Sequence, residues 1–539
     1  MSADRAAPAA ARLLTPAQLR DLEPDQLAAF QDRKFAWYAR TLLGRTSPYY
    51  ARLFREHGID SSAIDGVRAW QRLGLPLIRK DTFRADPDAF TIGARHGADT
   101  LDAYRQFVAV IGPLPPAVPI WSWPGLEVTQ PIPAALATPQ PDGAQANELV
   151  SGTAGVFLSG GSSGVPVPIR HSRLDRELFQ IATRRLHGTL VDALHRRGDR
   201  VVSATLYPQA PHMGFWMTTW GFEAVAHMHL GLSGAGIVPT ERLAELALQY
   251  SVNTFAGIPS YFRNRFVPAL VDCVRSSAYR LPPRIAITLG GEPVTAACRD
   301  EVRAMLLGAG AKEVTVLGGY GASESRFHLW HECAEGAGYH SAAPDLAACR
   351  VVRLAADGSW DFVPDGEEGL LVQFPLDGSG TCLSGFILGD SVVMTHERCP
   401  HCGVRGPRLL QVGRASDLQT QMAAMGTVEA KVRGATVNFV DLREQLLRCP
   451  GVAEVQLVVR HRIAGDAASA DELVVRCAAS TGAEPRSLAE QVAALTKRVS
   501  EITPIVELTR LDELLGRSLK FSWLVDERQA ARRDEPPAR

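Results

Sequence analysis

A loop rich in serine and glycine is the clearest candidate for chemistry in this chain of 539 residues. It follows the apolar residues 156–158 and consists of Ser159, Gly160, Gly161, Ser162, Ser163 and Gly164. Glycines let backbone N–H groups turn toward an anion, and serine hydroxyls add donors, so this loop could hold a polyphosphate. No Gly-Lys-Ser/Thr sequence follows, which excludes the Walker type of phosphate loop. Taken alone, such a loop is more often an ordinary turn, so its interpretation depends on the later motifs.

Two glycine-containing turns follow predicted strands in the middle of the chain. The run Gly291-Glu292-Pro293 lies between a strand and a helix, where glycine lets a planar ligand approach the backbone. In the second turn, Tyr320 stands before Gly321 and offers an aromatic face to a base. Glu324, a few residues later, could hold a magnesium ion that bridges phosphate oxygens. The alternatives are a simple strand–helix turn and a solvated surface glutamate.

Three charged residues in the last third of the chain could complete a nucleotide site. Asp390 can accept both hydroxyls of a ribose, and Arg414 can support the ribose or a phosphate. Lys520 lies on a late loop and is one of six lysines in the chain. A lysine at an α-phosphate can stabilise charge in a transition state, although an ordinary surface lysine is the alternative.

Composition limits the classes of function. The length indicates two or more domains, and a net charge of −1 argues against bulk binding of nucleic acid or anionic membranes. The sequence contains no apolar segment long enough to span a bilayer, and residues 1–20 lack a secretory apolar core. We therefore expect a cytoplasmic protein whose nine cysteines are thiols or metal ligands.

The elements that must position these residues alternate between strand and helix. Helices are predicted at about 15–60. An α/β sheet with crossovers is predicted from strands at 201–206, 285–289 and 314–317 that alternate with helices at 174–194, 240–250 and 296–307. Around 365–412 the pattern predicts short strands and turns, such as the strand at 369–374. Loops rich in proline and glycine are predicted from about 112 to 145. A small α+β domain is predicted from helices at 440–447 and 488–502 and strands at 454–460, 472–478 and 505–508, with a charged tail from Asp526 that is disordered past the mid-530s.

Together and in this order, the motifs resemble those of the adenylate-forming superfamily, and in particular its phenylacetate–CoA ligase branch. The resemblance covers about residues 20–528. It implies a large N-terminal ATP- and acid-binding domain, residues 1–413, with mixed sheets flanked by helices, and a small mobile α+β domain, residues 414–539. It also implies roles: the 159–164 loop for phosphate, residues 291–293 and Tyr320 for adenine, Asp390 and Arg414 for ribose, Glu324 for magnesium, and Lys520 for adenylation.

A set of cysteine and histidine residues points to the same branch. The Cys-x-x-Cys pair Cys399 and Cys402, with Cys333 and His340 upstream, supplies four ligands for a closed tetrahedral zinc site within about residues 333–402. Such a site would fold the chain locally rather than catalyse. The alternative is a redox pair or chance, and Cys349 is a lower-ranked ligand.

The activity implied is ATP-dependent formation of an acyl-adenylate from a carboxylic acid, aryl by the branch's preference, followed by transfer to the thiol of CoA. Several departures from the family pattern leave alternatives open. Val165 replaces a phosphate-loop lysine, Leu519 replaces a glycine before the late lysine, and two arginines are missing near Asp390. Transfer to an amine or a carrier-protein thiol, or a catalytically degenerate relative, are the alternatives. Residues around 211–216 and Trp220 could line an acyl pocket or belong to the core.

Overall fold

The structure is a computed structural model. It describes residues 13–92, 97–112, 119–123, 126–129, 152–158, 167–209, 213–234, 238–292, 294–355, 358–414, 429–433, 435–463, 469–480, 484–515 and 523–528. The described residues up to Arg414, Val167 aside, form a larger compact unit, and those from Glu429 onward form a smaller one.

Helices occur throughout both units. In chain order they are α1 Pro16–Asp21, α2 Pro24–Tyr38, α3 Gly44–Thr46, α4 Pro48–Glu56, α5 Ala69–Arg72, α6 Lys80–Ala85, α7 Gly97–Ile111, α8 Arg173–Arg196, α9 Met213–Val225, α10 Thr240–Gln249, α11 Pro259–Tyr261, α12 Val267–Ser276, α13 Ala296–Gly308, α14 Phe439–Leu447, α15 Pro485–Ser500 and α16 Leu511–Leu515. Short 3-10 turns are Ser61–Ala63, Pro87–Phe90 and Ser323–Ser325, and π-helical segments are Ala39–Leu43 and Phe262–Phe266.

The strands are mostly short. They are β1 Pro119–Trp123, β2 Leu126–Thr129, β3 Thr153–Leu158, β4 Pro168–Ser172, β5 Val202–Thr205, β6 Met228–Gly231, β7 Thr254–Gly257, β8 Arg284–Gly290, β9 Glu313–Tyr320, β10 Trp330–Glu332, β11 Tyr339–Ser341, β12 Ala347–Leu354, β13 Trp360–Phe362, β14 Glu368–Pro375, β15 Phe386–Thr395, β16 Arg408–Arg414, β17 Glu429–Val432, β18 Ala435–Asn438, β19 Val452–His461, β20 Asp471–Ala479, β21 Ile505–Thr509 and β22 Leu524–Asp526.

Helix starts follow local capping chemistry. Ser172 caps α8, because its side chain accepts from the backbone N–H of Asp175 and the Asp175 carboxylate accepts from that of Ser172. This reciprocal capping box satisfies two N–H groups that a helix leaves unpaired. Thr15 caps α1 with Gln18 in the same way, and Asn438 caps α14. Prolines begin α2, α4 and α15, where the missing N–H costs nothing.

The larger unit is built on a sheet with two different halves. Among the described residues its strand order is β13-β12-β14-β15-β16-β11-β10-β9-β8-β7-β5-β6. The strands from β13 to β9 pair antiparallel, and those from β9 through β8, β7 and β5 to β6 pair parallel. Because β5, β7, β8 and β9 are parallel neighbours, their carboxyl ends meet at one edge of the sheet.

The parallel half is covered on both faces. Ile285 and Ile287 of β8 pack with Val302 of α13 in one hydrophobic cluster. Ala286, between them on the strand, packs in another cluster with Leu190 of α8 and Phe222 of α9. Alternating side chains therefore enter two separate cores, as expected for a parallel sheet between helices. Each such fully buried large aliphatic side chain stabilises the fold by about 1.5–3 kcal/mol.

The smaller unit is an α+β fold. Its four-stranded sheet has the order β21-β20-β19-β22, with β19 and β20 antiparallel and the outer strands parallel to their neighbours. Leu457 and Val475 on this sheet pack against Leu442 of α14 and Val492 of α15. The start of the predicted tail is ordered: Asp526 ends β22, and the Arg528 guanidinium pairs with Asp471 at 2.8 Å.

The predicted fold class, mixed α/β with a small α+β part, is confirmed. The observed strands and helices lie within a few residues of those predicted for the middle and end of the chain. The predicted loop from 112 to 145 is wrong in part, because β1 and β2 form an antiparallel hairpin there. Pro119 is tolerated as the first residue of β1, and Ile120, Trp121 and Trp123 after it are residue types that favour strands. No helix within the described ranges is long and apolar enough to cross a membrane.

Candidate active site

Backbone glycines open the edge where the parallel strands end. A Cβ atom on Gly290 would lie 2.7 Å from the carbonyl oxygen of Gly319 and 3.1 Å from the hydroxyl of Tyr207, so no side chain fits there. Gly291 has φ +83°, a backbone conformation that favours glycine. The predicted run at 291–293 thus begins directly after a close approach of β8, β9 and Tyr207. Glu292 is half-buried beside it, and Pro293 lies outside the described residues.

Tyr207 was not predicted as a site residue. It follows β5, its ring is buried, and its hydroxyl bonds to the backbone of Gly290. Burial, followed by the negative charge of Glu292, raises the pKa of Tyr207 well above its ordinary value, so the phenol stays neutral. The sequence offered one signal for Tyr207: it is an aromatic residue directly after the strand predicted at 201–206.

Tyr320 and Asp390 meet across the larger sheet. The Tyr320 hydroxyl, at the end of β9, donates a hydrogen bond of 2.7 Å to a carboxylate oxygen of Asp390 on β15. The sheet therefore brings the predicted adenine-binding and ribose-binding residues into direct contact. In the register of β15 with β16, Asp390 stands opposite Arg414. The side chain of Arg414 lies outside the described residues.

Glu324 lies in a short 3-10 turn and faces a lysine that the sequence analysis did not assign to the site. The Lys80 ammonium lies 3.5 Å from a carboxylate oxygen of Glu324, and the two side chains are 13% and 11% exposed. Helix α6 carries Lys80 to this position because Ile78 joins the sheet. The Ile78 N–H donates to Gly385 at 2.7 Å, and the Ile78 carbonyl accepts from Ile387 at 3.0 Å.

The Glu324 carboxylate fits the predicted magnesium role. Magnesium in nucleotide enzymes is held by one or two carboxylates together with substrate phosphates. Glu324 offers one partly accessible carboxylate, and its pairing distance to Lys80 is long for a hydrogen-bonded ion pair. The carboxylate oxygen and the ammonium thus lie side by side, as a metal ligand and a phosphate donor would.

The four predicted zinc ligands come together. The ligand atoms of Cys333, His340, Cys399 and Cys402 all lie within 4.8 Å of one another. The Cys333 and Cys399 sulfurs are 3.6 Å apart, and the Cys402 sulfur lies 3.7 Å from Nε2 of His340. A tetrahedron with Zn–S of about 2.3 Å and Zn–N of about 2.0 Å has edges of roughly 3.5–3.8 Å, which matches.

The surroundings of the cluster favour ligation. Hydrogen bonds from Cys333 and His340 lower the pKa of Cys402, which favours the thiolate that a metal requires. Cys349 lies outside the cluster, since its sulfur is 3.1 Å from Nδ1 of the buried His328. His401 is exposed. The cluster joins the β10–β11 turn to the β15–β16 turn, so a metal there would fasten two antiparallel hairpins together.

Solved structures share this architecture. The chain matches no protein-family model and no curated protein. It is similar to 2-hydroxyisobutyryl-CoA ligase in complex with 2-HIB-AMP and CoA in the thioesterification state, with 17% identity, 99% of this chain and 96% of that chain covered, and a TM-score of 0.66. This chain has the fold of a CoA ligase. An open conformation of the same ligase, also with 2-HIB-AMP and CoA, matches at 16% identity and a TM-score of 0.52, covering 97% of both chains.

The CoA-ligase fold confirms the resemblance to adenylate-forming enzymes at the level of the fold. The phosphate loop at 159–164 and Lys520 remain predictions, because they lie outside the described residues. The strands that flank the phosphate loop are described. Leu158 at the end of β3 pairs with Pro168 at the start of β4, so the loop joins the two strands of a hairpin.

The apolar and aromatic residues considered for an acyl pocket lie mainly in the core of the CoA-ligase fold. Met213 and Phe215 are each 6% exposed and belong to hydrophobic clusters. The half-buried Trp220 ring packs edge-on against Phe157 and Phe179, with centroids 6.1 and 5.8 Å apart. These contacts favour the packing interpretation for α9.

Proposed function

We propose that this protein activates a carboxylic acid with ATP and transfers the acyl group to the thiol of CoA. One observation carries the proposal: the hydrogen bond between Tyr320 and Asp390 at the edge of the parallel strands, within the fold of a CoA ligase. The motifs predicted for adenine and ribose from distant parts of the sequence meet there. The similar ligase binds an acyl-adenylate and CoA, which supports the same substrate classes here.

The reaction has two steps. An oxygen of the acid attacks the α-phosphorus of ATP, the bond to pyrophosphate breaks, and an acyl-adenylate forms. The CoA thiol then attacks the carbonyl carbon, and AMP leaves as the sulfur loses its proton. Each step develops negative charge on phosphate or carbonyl oxygens, which fixed cations stabilise.

Named residues would carry these steps. Tyr320 offers its ring to adenine, and Asp390 accepts from the ribose with Arg414 nearby. Glu324 would hold Mg²⁺, which neutralises phosphate charge, and Lys80 would donate to the same phosphates. Lys520 would stabilise the α-phosphate, and the 159–164 loop would hold the β- and γ-phosphates. We further propose that residues 414–539 form the mobile domain that carries Lys520.

A zinc ion at Cys333, His340, Cys399 and Cys402 is proposed as a structural metal. The four donor atoms lie close together, and a tetrahedral zinc with four protein ligands has no open coordination position for a substrate. Both points support a folding role. The aryl class of acid and the phenylacetate–CoA ligase branch are proposed on the sequence resemblance alone.

The test is pyrophosphate release from ATP-Mg with aryl, fatty and amino acids, with and without CoA. Release with one acid class and CoA-dependent thioester formation are expected. Release of pyrophosphate without a thioester would indicate that the acyl acceptor is an amine or a carrier-protein thiol rather than CoA. Lack of release with every acid, from folded protein, would contradict the proposal and favour a catalytically degenerate relative.

A further inference from the structure

The turn that carries Glu324 is followed by a strained arginine. Arg326 has φ 51° and ψ −111°, a region that residues with a side chain rarely adopt. Such strain persists only where surrounding contacts force it, and it concentrates at functional sites. Arg326 is also 2% exposed, so its charge is buried directly beyond the turn.

A buried aspartate holds this arginine. Nη1 of Arg326 lies 2.8 Å from Oδ1 of Asp175, which is fully buried at the start of α8. The same carboxylate accepts backbone N–H bonds from Ser379 at 3.0 Å and from Gly380 at 2.7 Å. A Cβ on Gly378 would lie 2.3 Å from Asp175, so the 378–380 loop closes around the carboxylate. The arginine is therefore fixed from helix and loop at once.

A side chain from strand β14 makes a second contact that holds the turn. Nε2 of Gln373, buried on β14, donates to the backbone carbonyl of Glu324 at 3.0 Å. Within the turn, the Ser325 hydroxyl accepts from the N–H of Ala322 at 3.1 Å. The backbone of Glu324 is thus held by a side chain on its own carbonyl and by the anchored arginine two residues later.

We propose that the Asp175–Arg326 pair, with Gln373, is a positioning device that fixes Glu324 for metal binding. The strained Arg326 backbone turns the chain away two residues after Glu324, and the buried ion pair keeps that turn from relaxing. Loss of the pair frees the turn, so the Glu324 carboxylate spends less time in the direction that meets the metal. This inference rests on the proposed role of Glu324 as a magnesium ligand.

The test measures divalent-metal binding as well as turnover. Mn²⁺ binding in the presence of a non-hydrolysable ATP analogue is followed by electron paramagnetic resonance, and the Mg²⁺ dependence of pyrophosphate release is followed in parallel. Arg326→Gln is expected to weaken metal binding by about 10–100-fold, as loss of groups that orient metal ligands commonly does. Arg326→Lys keeps the charge and should recover part of the loss. Gln373→Met is the milder variant if Arg326→Gln does not fold; it removes one hydrogen bond to the turn, with an expected loss of about fivefold.

A matched control separates positioning from stability. Arg185, on the same helix as Asp175, pairs with the buried Asp345 at 2.7 Å and also bonds the carbonyl of Leu14. Arg185→Gln should destabilise the protein as well, yet leave Mn²⁺ affinity unchanged. Equal effects of Arg326→Gln and Arg185→Gln on metal affinity would overturn the inference. Glu324→Gln tests the metal role of Glu324 separately from the positioning by Arg326. If Glu324→Gln does not weaken Mn²⁺ binding, the metal role of Glu324 is wrong and the inference fails with it.

Discussion

The hydroxyl of Tyr320 donates to Asp390 at 2.7 Å although three strands, β10, β11 and β16, lie between theirs in the sheet. Neighbouring strands are about 4.8 Å apart, so a flat sheet would separate these residues far beyond the reach of a tyrosine. The sheet must curl between them. Its short β10 and β11 strands, three residues each, permit that curl.

Tyr320→Phe should weaken ATP binding more than it slows the chemical step. The change removes one hydrogen bond that orients Asp390, worth about 1 kcal/mol, or roughly fivefold in affinity. We expect a raised KM for ATP with a nearly unchanged kcat in pyrophosphate-release assays. Tyr279→Phe, on a different part of the unit, serves as the control. A raised KM for the acid with an unchanged KM for ATP would contradict the assignment of Tyr320 to the nucleotide.

Lys80→Met should slow adenylation. Lys80 faces Glu324 at 3.5 Å in a partly buried setting, so in the proposed site its charge would act on phosphates with little screening. Loss of one such donor is expected to lower kcat for pyrophosphate release by about 10²-fold. Lys80→Arg should retain part of the activity. Lys497→Met changes an exposed lysine on α15 and should have no effect. Equal rates of pyrophosphate release for Lys80→Met and wild type would contradict a role of Lys80 in adenylation.

The purified protein should contain about one zinc ion per chain. Cys399→Ser should remove it and lower the thermal midpoint, because the proposed metal would fasten the β10–β11 turn to the β15–β16 turn. Metal analysis and a melting curve measure both effects. Cys449→Ser alters a thiol outside the cluster and should leave the zinc content unchanged. Full zinc retention in Cys399→Ser would exclude this ligand set.

Acid should destabilise the larger unit through buried histidines. Burial lowers the pKa of His187 to about 3, with nearby His229 adding to the effect, and burial and then Arg326 lower the pKa of His328 to about 3. Unfolded histidines bind protons near pH 6.5, so the unfolded state takes up more protons below that value. The stability is therefore present above about pH 6.5 and is lost toward pH 3, at about 1.4 kcal/mol per pH unit for each histidine.

Urea unfolding between pH 7.5 and 5 measures this slope. His187→Leu should reduce the dependence on pH by about 1.4 kcal/mol per unit. Phe222→Leu changes the neighbouring ring, whose centroid lies 4.4 Å from that of His187, without changing a titrating group. It should lower the stability equally at every pH. An identical slope in His187→Leu and wild type would show that His187 takes up a proton in the folded state.

Local patterns account for what was predictable in the fold. Apolar runs of four to eight residues and amphipathic helices between them indicated the α/β alternation from β5 to β9, because periodicity and turn residues act over a few positions. The hairpin of β1 and β2 was missed, since the prolines and glycines around it indicated loops. Spacing also indicated the cysteines and the histidine that form the candidate metal cluster, because zinc binds to few residue types.

The sequence by itself determined the order of the motifs and the α/β class, and it indicated the four sulfur and nitrogen atoms that are candidate zinc ligands. Only the tertiary structure decided that Lys80 faces Glu324, that Tyr207 fills the gap beside Gly290, and that Asp175 holds the strained Arg326. These contacts join residues far apart in the chain. They depend on how the sheet curls and on which buried charges find partners, and neither is encoded in any short window of sequence.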